Sequence, residues 1–410
     1  MRGIRVWARL LGLARAVVED VFLDGEAVVV CVRPRARERG RCGVCRRRCP
    51  GYDWGEGRRR WRALDLGTLK AFVEAEAPRV ECRRHGVIVA AVPWARHDSS
   101  FTSAFEDQAA WLAVHASASA VAQLMRTTWR TVGWICRRVA DEARAQRDLF
   151  ADLKRIGVDE ISVRRGQRYL TVVIDHDSGR LIWAAPGRDR KTVEQFLGPL
   201  GNERCQGIEL VSCDMAEWIT RPVAERCPRA EVCLDAFHVV KLATEALDEI
   251  RREVWNEARR AGDIALAKEL KGARFALWKN PEHLTPRQQL KLAHVQHFNQ
   301  RLYRAYLLKE QLRLIYRVDA DEAISVLEAW LQWARRCRLK PFVRLARTIR
   351  DQRAGIEAAL RNRLSNARTE QINTQIRLIT RRGFGYHSQH AVIALAMLSL
   401  GGLCPPLPGR

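Results

Sequence analysis

From residue 155 the chain carries three β-rich runs in succession, RIGVDEISVR, QRYLTVVIDH and GRLIWAAP. Their connections, RGQ and DSG, are short and polar, which predicts an antiparallel meander. RKTVEQFLGPLG then reads as a helix, GIELVSCDM as a short apolar strand ending on Asp214, PVAERC as a second helix and AEVCLDAFH as a further strand. Three meandering strands followed by helix, strand, helix, strand constrain the fold more than any other feature of the chain.

That order is the order of the ribonuclease H-like fold, which carries acidic residues on its first strand and at the end of its fourth. Asp159 and Asp214 occupy those positions. A carboxylate in an apolar strand is costly unless it is ionised and paired, and two on neighbouring strands repel unless a cation lies between them. Mg²⁺ takes hard oxygen ligands and is commonly held by one or two carboxylates plus phosphate. A third acid completes a site for two ions about 3.5–4 Å apart, which clamp the attacking and leaving oxygens in phosphoryl transfer.

Glu370, in LSNARTEQINTQIRLITRRGFGYHS, is the candidate third acid. At about 100° per residue Ile372, Ile376 and Ile379 form one apolar stripe, and Glu370, Asn373, Thr374, Arg377 and Arg381 fall on the opposite face. Ser365 or Asn366 is the expected N-cap, and Gly383 ends the helix. The pattern alone also admits a plainer reading, an exposed glutamate on an amphipathic helix. Between the last strand and this helix, residues 239–350 are helix-forming, with Trp255, Trp278, Trp330 and Trp333 at core-like positions. This stretch reads as an all-helical insertion.

The first hundred residues have a different character. GEAVVVCVR (25–33) reads as a strand, followed by the basic run RPRARERGR. Cys42 and Cys45 then form a C-x2-C pair, and Cys82 and His85 form a C-x2-H pair after a strand-rich insert. Two such knuckles supply the four ligands of a closed structural Zn²⁺ site, as in a zinc ribbon. Cys49 stands close enough in sequence to replace one ligand, and the four residues also admit a plainer reading, Cys82 in a core and His85 exposed. Arg46, Arg47, Arg48, Arg58, Arg59 and Arg60 surround the pairs, a composition suited to gripping phosphates. Residues 104–144 are helical by pattern, and SAVAQLMRTTWRTVGWICRRVADEA reads as a helix-turn-helix with its break at 126–128. Val121, Leu124 and Met125 are expected to face the core from the first helix, and Val132, Ile135 and Val139 from the second. Thr128 is the expected N-cap, so that Thr128, Trp129, Arg130 and Thr131 open the recognition helix and reach base edges. The turn lacks the usual glycine, which also leaves an ordinary helical hairpin open.

Composition agrees with a nucleic-acid partner. Lys and Arg number 71 against 47 Asp and Glu in 410 residues, a formal charge of +24, and such an excess favours a polyanion. The 12 cysteines are unevenly spaced and several lie in apolar runs, as in a reducing compartment. No apolar stretch approaches the roughly 20 residues that span a bilayer. The basic, amphipathic N-terminus reads on into folded sequence. A soluble, cytoplasmic, nucleoid-associated protein with no membrane partner is expected.

Taken together, the zinc pairs, the helix-turn-helix, GVDE, SCDM, FALWKNPEHLTPRQQLKL…RAYLLKEQLRLIY and SNARTEQIN…IRLITRRGFGYHS resemble the DDE transposases of the ISL3 family of bacterial insertion sequences, over nearly the whole chain. The resemblance implies Asp159, Asp214 and Glu370 as a triad holding two Mg²⁺ or Mn²⁺ ions. It also implies an aspartate-x-x-histidine motif, met here by Asp235 and His238 in DAFH. By position, Lys241 one helical turn later reads as a phosphate contact, and Asn373 and Arg377 on the Glu370 helix as auxiliary groups. His85 departs from the family, whose second zinc pair usually ends in cysteine. The organisation expected is a multidomain α/β chain. Residues 1–100 form a zinc-ribbon-like DNA-binding module and 101–150 the helix-turn-helix. Residues 151–238 begin a ribonuclease H-like core, 239–350 form the helical insertion, and 351–410 complete the core. The partners expected are double-stranded DNA, as terminal inverted repeats and target, and further copies of the chain assembled on that DNA. A regulator that has kept the DNA-binding modules and lost the chemistry is the alternative.

Overall fold

The computed structural model describes residues 2–164, 168–383, 386 and 388–409. The expected RGQ connection at 165–167 and Phe384, Gly385 and His387 of the C-terminal motif lie outside the described residues. Two compact units emerge, one of residues 1–149 with 376–410 and one of residues 150–375.

In the first unit α1 (Arg2–Leu10) leads into β1 (Ala16–Asp24) and β2 (Ala27–Pro34), followed by β3 (Gly51–Asp53), β4 (Arg58–Leu66), β5 (Leu69–Glu76), β6 (Arg79–Cys82) and β7 (Gly86–Val89). One sheet has the order β1-β2-β5-β4 and a smaller one β3-β6-β7. Strand β2 is the unbroken apolar run of the sequence; Val28 to Val32 are all buried because it is an inner strand with β1 and β5 on either side. Strand β1 was not expected from the sequence. It is an edge strand carrying Glu19 and Asp20 with a register shift between Val18 and Asp20, so it lacks a clean alternation. Helices α2 (Ser103–His115), α3 (Ala118–Leu124) and α4 (Trp129–Gln146) follow.

The second unit is built on β8 (Arg155–Arg164), β9 (Arg168–Asp175) and β10 (Leu181–Pro186), then α5 (Arg190–Gly207), β11 (Leu210–Cys213), α6 (Glu217–Arg226) and β12 (Glu231–Leu234). They form one sheet in the order β10-β9-β8-β11-β12. The meander pairs antiparallel, whereas β11 runs parallel to both β8 and β12 because a helical crossover precedes each parallel strand. The alternation of side chains decides what each face does. Ile156, Val158, Val211 and Cys213 pack with Val193, Phe196 and Leu197 of α5 and Ile219 and Val223 of α6. Gly157 and Asp159 on β8, Ser212 on β11 and Asp214 just past its end therefore lie on the other face.

Beyond β12 the described structure is helical: α7 (Ala236–Arg260), α8 (Ile264–Gly272), α9 (Arg274–Trp278), α10 (Pro286–Phe298), α11 (Gln300–Leu314), α12 (Ala320–Arg336), α13 (Lys340–Asp351) and α14 (Arg353–Asn362). Their shared core holds Trp330 fully buried, its Nε1 donating to Leu308 O at 2.7 Å, with Trp255, Trp278 and Trp333 packed at its margin. Helix α15 (Ala367–Arg382) starts in this unit and ends in the first. In the first unit α16 (Gln389–Leu400), apolar on every side, packs with α4 and α2. The residues expected as one segment, 351–410, are thus shared between the units after residue 375.

Candidate active site and DNA-binding modules

Asp159 lies in the middle of β8 and Asp214 one residue past the end of β11. Asp159 Oδ1 accepts its neighbour's backbone N–H, from Glu160, at 2.7 Å, and its Oδ2 accepts Asn373 Nδ2 at 2.7 Å. Burial, and then the charge of Asp214, push the Asp159 carboxyl up to about 7. His238 Nδ1 stands 2.8 Å from Asp214 Oδ1 and 3.0 Å from Asp235 Oδ2. Hydrogen bonds to Asp214 and then Asp235 raise its imidazole to about 10, so it is a cation at neutral pH. Asp235 is buried just before α7, and its spacing of three residues from His238 puts both side chains at the start of that helix. Lys241 is exposed one turn further on.

The expected residues divide into two groups. Asp159, Asp214, Asp235, His238 and Asn373 are linked as described. The ligand atoms of Asp214, Asp235 and His238 lie within 4.8 Å of one another. Glu370 is exposed in the first turn of α15, one turn before Asn373, and no hydrogen bond or ion pair joins it to either aspartate. Arg377 is exposed on the part of α15 that belongs to the first unit. One expectation is corrected: Asn373 does not share the solvent face with Glu370, Thr374 and Arg381. It is buried beside the isoleucine stripe, because its amide meets the Asp159 carboxylate.

The donor set suits a hard cation. Asn373 Oδ1 is buried without a hydrogen-bond partner among the described residues, beside the Asp159 carboxyl that burial and the nearby Asp214 charge push up to about 7. An unmatched oxygen and a surplus of negative charge are what a divalent ion compensates.

The zinc-type pairs meet in the first unit. Cys42 Sγ and Cys82 Sγ are each 3.5 Å from His85 Nδ1, and Cys45 Sγ is 3.8 Å from Cys82 Sγ. A tetrahedral ion with Zn–S of about 2.3 Å and Zn–N of about 2.0–2.1 Å requires edges of about 3.5–3.8 Å. The backbone N–H of Arg84, with help from His85, pulls the Cys82 thiol down to about 6, towards the thiolate that ligates. Cys49 is not in the cluster and its thiol lies 3.4 Å from Arg47 O. The surrounding arginines are not all free for phosphate: Arg58 and Arg60 pair with Glu74, and Arg60 also with Asp24.

Helix α4 opens as expected, with Thr128 Oγ1 accepting Thr131 N at 3.2 Å. Val121, Met125, Val132, Ile135 and Val139 are buried, but Leu124 is 65% exposed, a correction. At the end of the short α3 it points away from the helical contact that takes in Val121 and Met125. The turn that lacks glycine uses Arg126 at φ +51°, with its guanidinium bonded to Asp65 Oδ2 at 3.2 Å and Thr68 O at 2.9 Å. Trp129 and Arg130 are exposed, with the Arg130 guanidinium 5.6 Å from the Trp129 ring centre, while Thr128 is exposed and Thr131 half-buried. Arg96 fixes α4 to α2 by reaching Glu142 at 2.5 Å and Asp107 at 2.7 Å.

Comparison with known proteins matches three stretches of the chain. Residues 156–396 match a transposase domain of the ISL3 type, residues 90–140 the helix-turn-helix domain of transposase family ISL3, and residues 38–85 the zinc-finger of the transposases of IS204, IS1001, IS1096 and IS1165. The chain is 51% identical to the transposase for insertion sequence element IS1557 of Mycobacterium tuberculosis, over 100% of this chain and 98% of that protein, in both the CDC 1551 / Oshkosh and H37Rv strains. It is 26% identical to the transposase for insertion sequence element IS1001 of Bordetella parapertussis, over 81% of this chain and 82% of that one.

Proposed function

Because the chain belongs to the ISL3 family of transposases, we propose that it binds the terminal inverted repeats of its element, cleaves DNA at the element ends and transfers the 3′-hydroxyl strands into target DNA. The observation that carries this reading is the pair Asp159 and Asp214, close enough on neighbouring strands for one charge to raise the other's pKa, beside an unmatched buried amide oxygen. Asp159, Asp214 and Glu370 would hold two divalent ions, Mg²⁺ or Mn²⁺. When bound, the ions supply Lewis-acid stabilisation of the attacking and leaving oxygens. The chain's own groups do the rest. Asn373 orients Asp159 through its amide. Asp235 turns His238 towards Asp214, and His238 and Lys241 offer positive charge to a scissile phosphate.

On this reading the five-stranded sheet with its helices is a ribonuclease H-like core, and α7–α14 an all-helical insertion in it. The zinc module, with one structural Zn²⁺ on Cys42, Cys45, Cys82 and His85, and the helix-turn-helix, with Thr128, Trp129, Arg130 and Thr131 at the DNA, select the ends. The protein works at the nucleoid as a homo-oligomer that holds two ends together, because each chain has one triad.

The test is incubation of the purified full chain with labelled duplexes from both flanks of its coding sequence, with and without Mg²⁺. Asp159→Asn, Asp214→Asn and Glu370→Gln should each abolish cleavage and leave DNA binding intact. Near-normal cleavage by all three would remove the assignment, and binding without cleavage by the unaltered chain would favour a silent regulator.

A further inference from the structure

Beneath the acidic residues lies a second polar layer. Counting back two positions from each aspartate gives Gly157 on β8 and Ser212 on β11, which are paired in the sheet. Residues two apart on a strand share a face, so Gly157 and Ser212 form a floor one step below Asp159. Helix α15 lies on that floor. Asn366, whose carbonyl oxygen accepts the backbone N–H of Glu370 at 2.8 Å, opens the helix, and Thr369 follows. Asn366, Thr369, Ser212 and His176 are all at most 3% exposed.

These groups form a directed chain. Ser212 Oγ donates to Asn366 Oδ1 at 2.6 Å. Its single proton is then used, so the contact of 2.7 Å with His176 Nε2 must be a bond donated by the imidazole. Burial, then the nearby Arg368 and Arg155, hold His176 down at about 4, which keeps it neutral with the proton on Nε2. Arg368 of α15 adds a second tie to the carbonyl oxygen of His176. The fit is close: a Cβ on Gly157 would overlap Thr369 Oγ1 and come within 2.9 Å of His176 Nε2. Glycine is needed here for the approach of the helix and not for an unusual backbone.

We propose that His176, Ser212 and Asn366, seated over Gly157, are positioning residues that set the height and register of α15 above the sheet and so place Glu370 for metal binding with Asp159 and Asp214. This rests on Glu370 being the third ligand. A general fold anchor would affect stability alone; a positioning relay also changes the metal affinity, and only through Glu370.

The experiment is Mn²⁺ binding to the zinc-loaded full chain, read from the free-ion electron paramagnetic resonance signal, together with the melting temperature. Glu370→Gln should weaken Mn²⁺ binding. His176→Leu should weaken it by about 10-fold or more, the usual effect of losing a group that orients a ligand, while His176→Gln, which keeps a donor near Nε2, should stay close to the unaltered chain. In the Glu370→Gln background His176→Leu should have no further effect. Gly157→Ala, which lifts the helix without removing a hydrogen-bonding group, should reproduce the loss, and Thr369→Ala should restore part of it. Equal losses from His176→Leu in both backgrounds, or unchanged Mn²⁺ affinity in both His176→Leu and Gly157→Ala, would overturn the proposal while Glu370 stands. Unchanged affinity in Glu370→Gln would overturn both.

Discussion

Asp159→Asn should make the protein more stable while removing its activity. Burial and the Asp214 charge raise the Asp159 carboxyl from its ordinary 3.8 to about 7, which at about 1.4 kcal/mol per pH unit is a penalty on the order of 4 kcal/mol when the group is ionised. The sign follows from proton counts. Between pH 3.8 and 7 the native state holds a proton that the unfolded state has released, so stability falls as pH rises through this window and is flat above it. Asparagine has no such penalty. Glu160 N–H can still donate to its Oδ1, and the unmatched Asn373 Oδ1 is available for its amide protons once the Asn373 amide turns over. Lost packing and imperfect geometry reduce the gain to about 2–4 kcal/mol at pH 8, which for a unit of this size is about 4–16 °C in melting temperature. At pH 5, where Asp159 is already protonated in the folded state, the advantage should shrink to less than half.

The assay is differential scanning calorimetry of zinc-loaded protein at pH 8 and pH 5, following the transition of the second unit, first without Mg²⁺ or Mn²⁺ and then with Mn²⁺. The ion should stabilise the unaltered chain by mass action and the variant much less. A variant that melts at or below the unaltered chain at pH 8 would refute the reasoning. So would an advantage independent of pH, since packing rather than charge would then be its source.

Other expectations follow from the first unit and from assembly. Cys42→Ser with Cys82→Ser should empty the zinc site of the full chain by metal analysis, whereas Cys49→Ser should leave it full, because Cys49 is not among the four residues whose ligand atoms all lie within 4.8 Å of one another. Arg130→Ala should cost roughly 1–3 kcal/mol on the element's own ends if the guanidinium reads a guanine; an equal loss on unrelated duplex would make it a phosphate contact. Self-repulsion at +24 should keep the free chain monomeric, with pairing on end DNA as the charge is neutralised. Light scattering that shows a monomer still completing excision would remove the assembly.

What was legible in the sequence depended on whether a residue's surroundings are local. The strands with Asp159 and Asp214 could be read because an acid inside or just past an apolar run is conspicuous, and the Thr128 cap because its partner is three residues away. Edge strand β1 was missed because one side of it faces solvent and its bulge breaks the alternation. Leu124 was misplaced because helical periodicity has little force at the end of a helix of 7 residues.

Asn373 and the floor under the site were illegible for a deeper reason. Hydrophobic periodicity treats every polar side chain as a solvent-facing one, yet a polar group is buried without penalty when its partner is buried with it. Asn373 bonds a carboxylate 214 residues away and Ser212 an amide 154 residues away. Each side chain alone looks like surface, and only the fold supplies the partner. A metal site magnifies this blindness, since its acids must be held by donors that are themselves kept from water. The signal the sequence does carry is therefore indirect: a glycine and a serine, each two residues ahead of an aspartate, on the face opposite Ile156, Val158 and Val211.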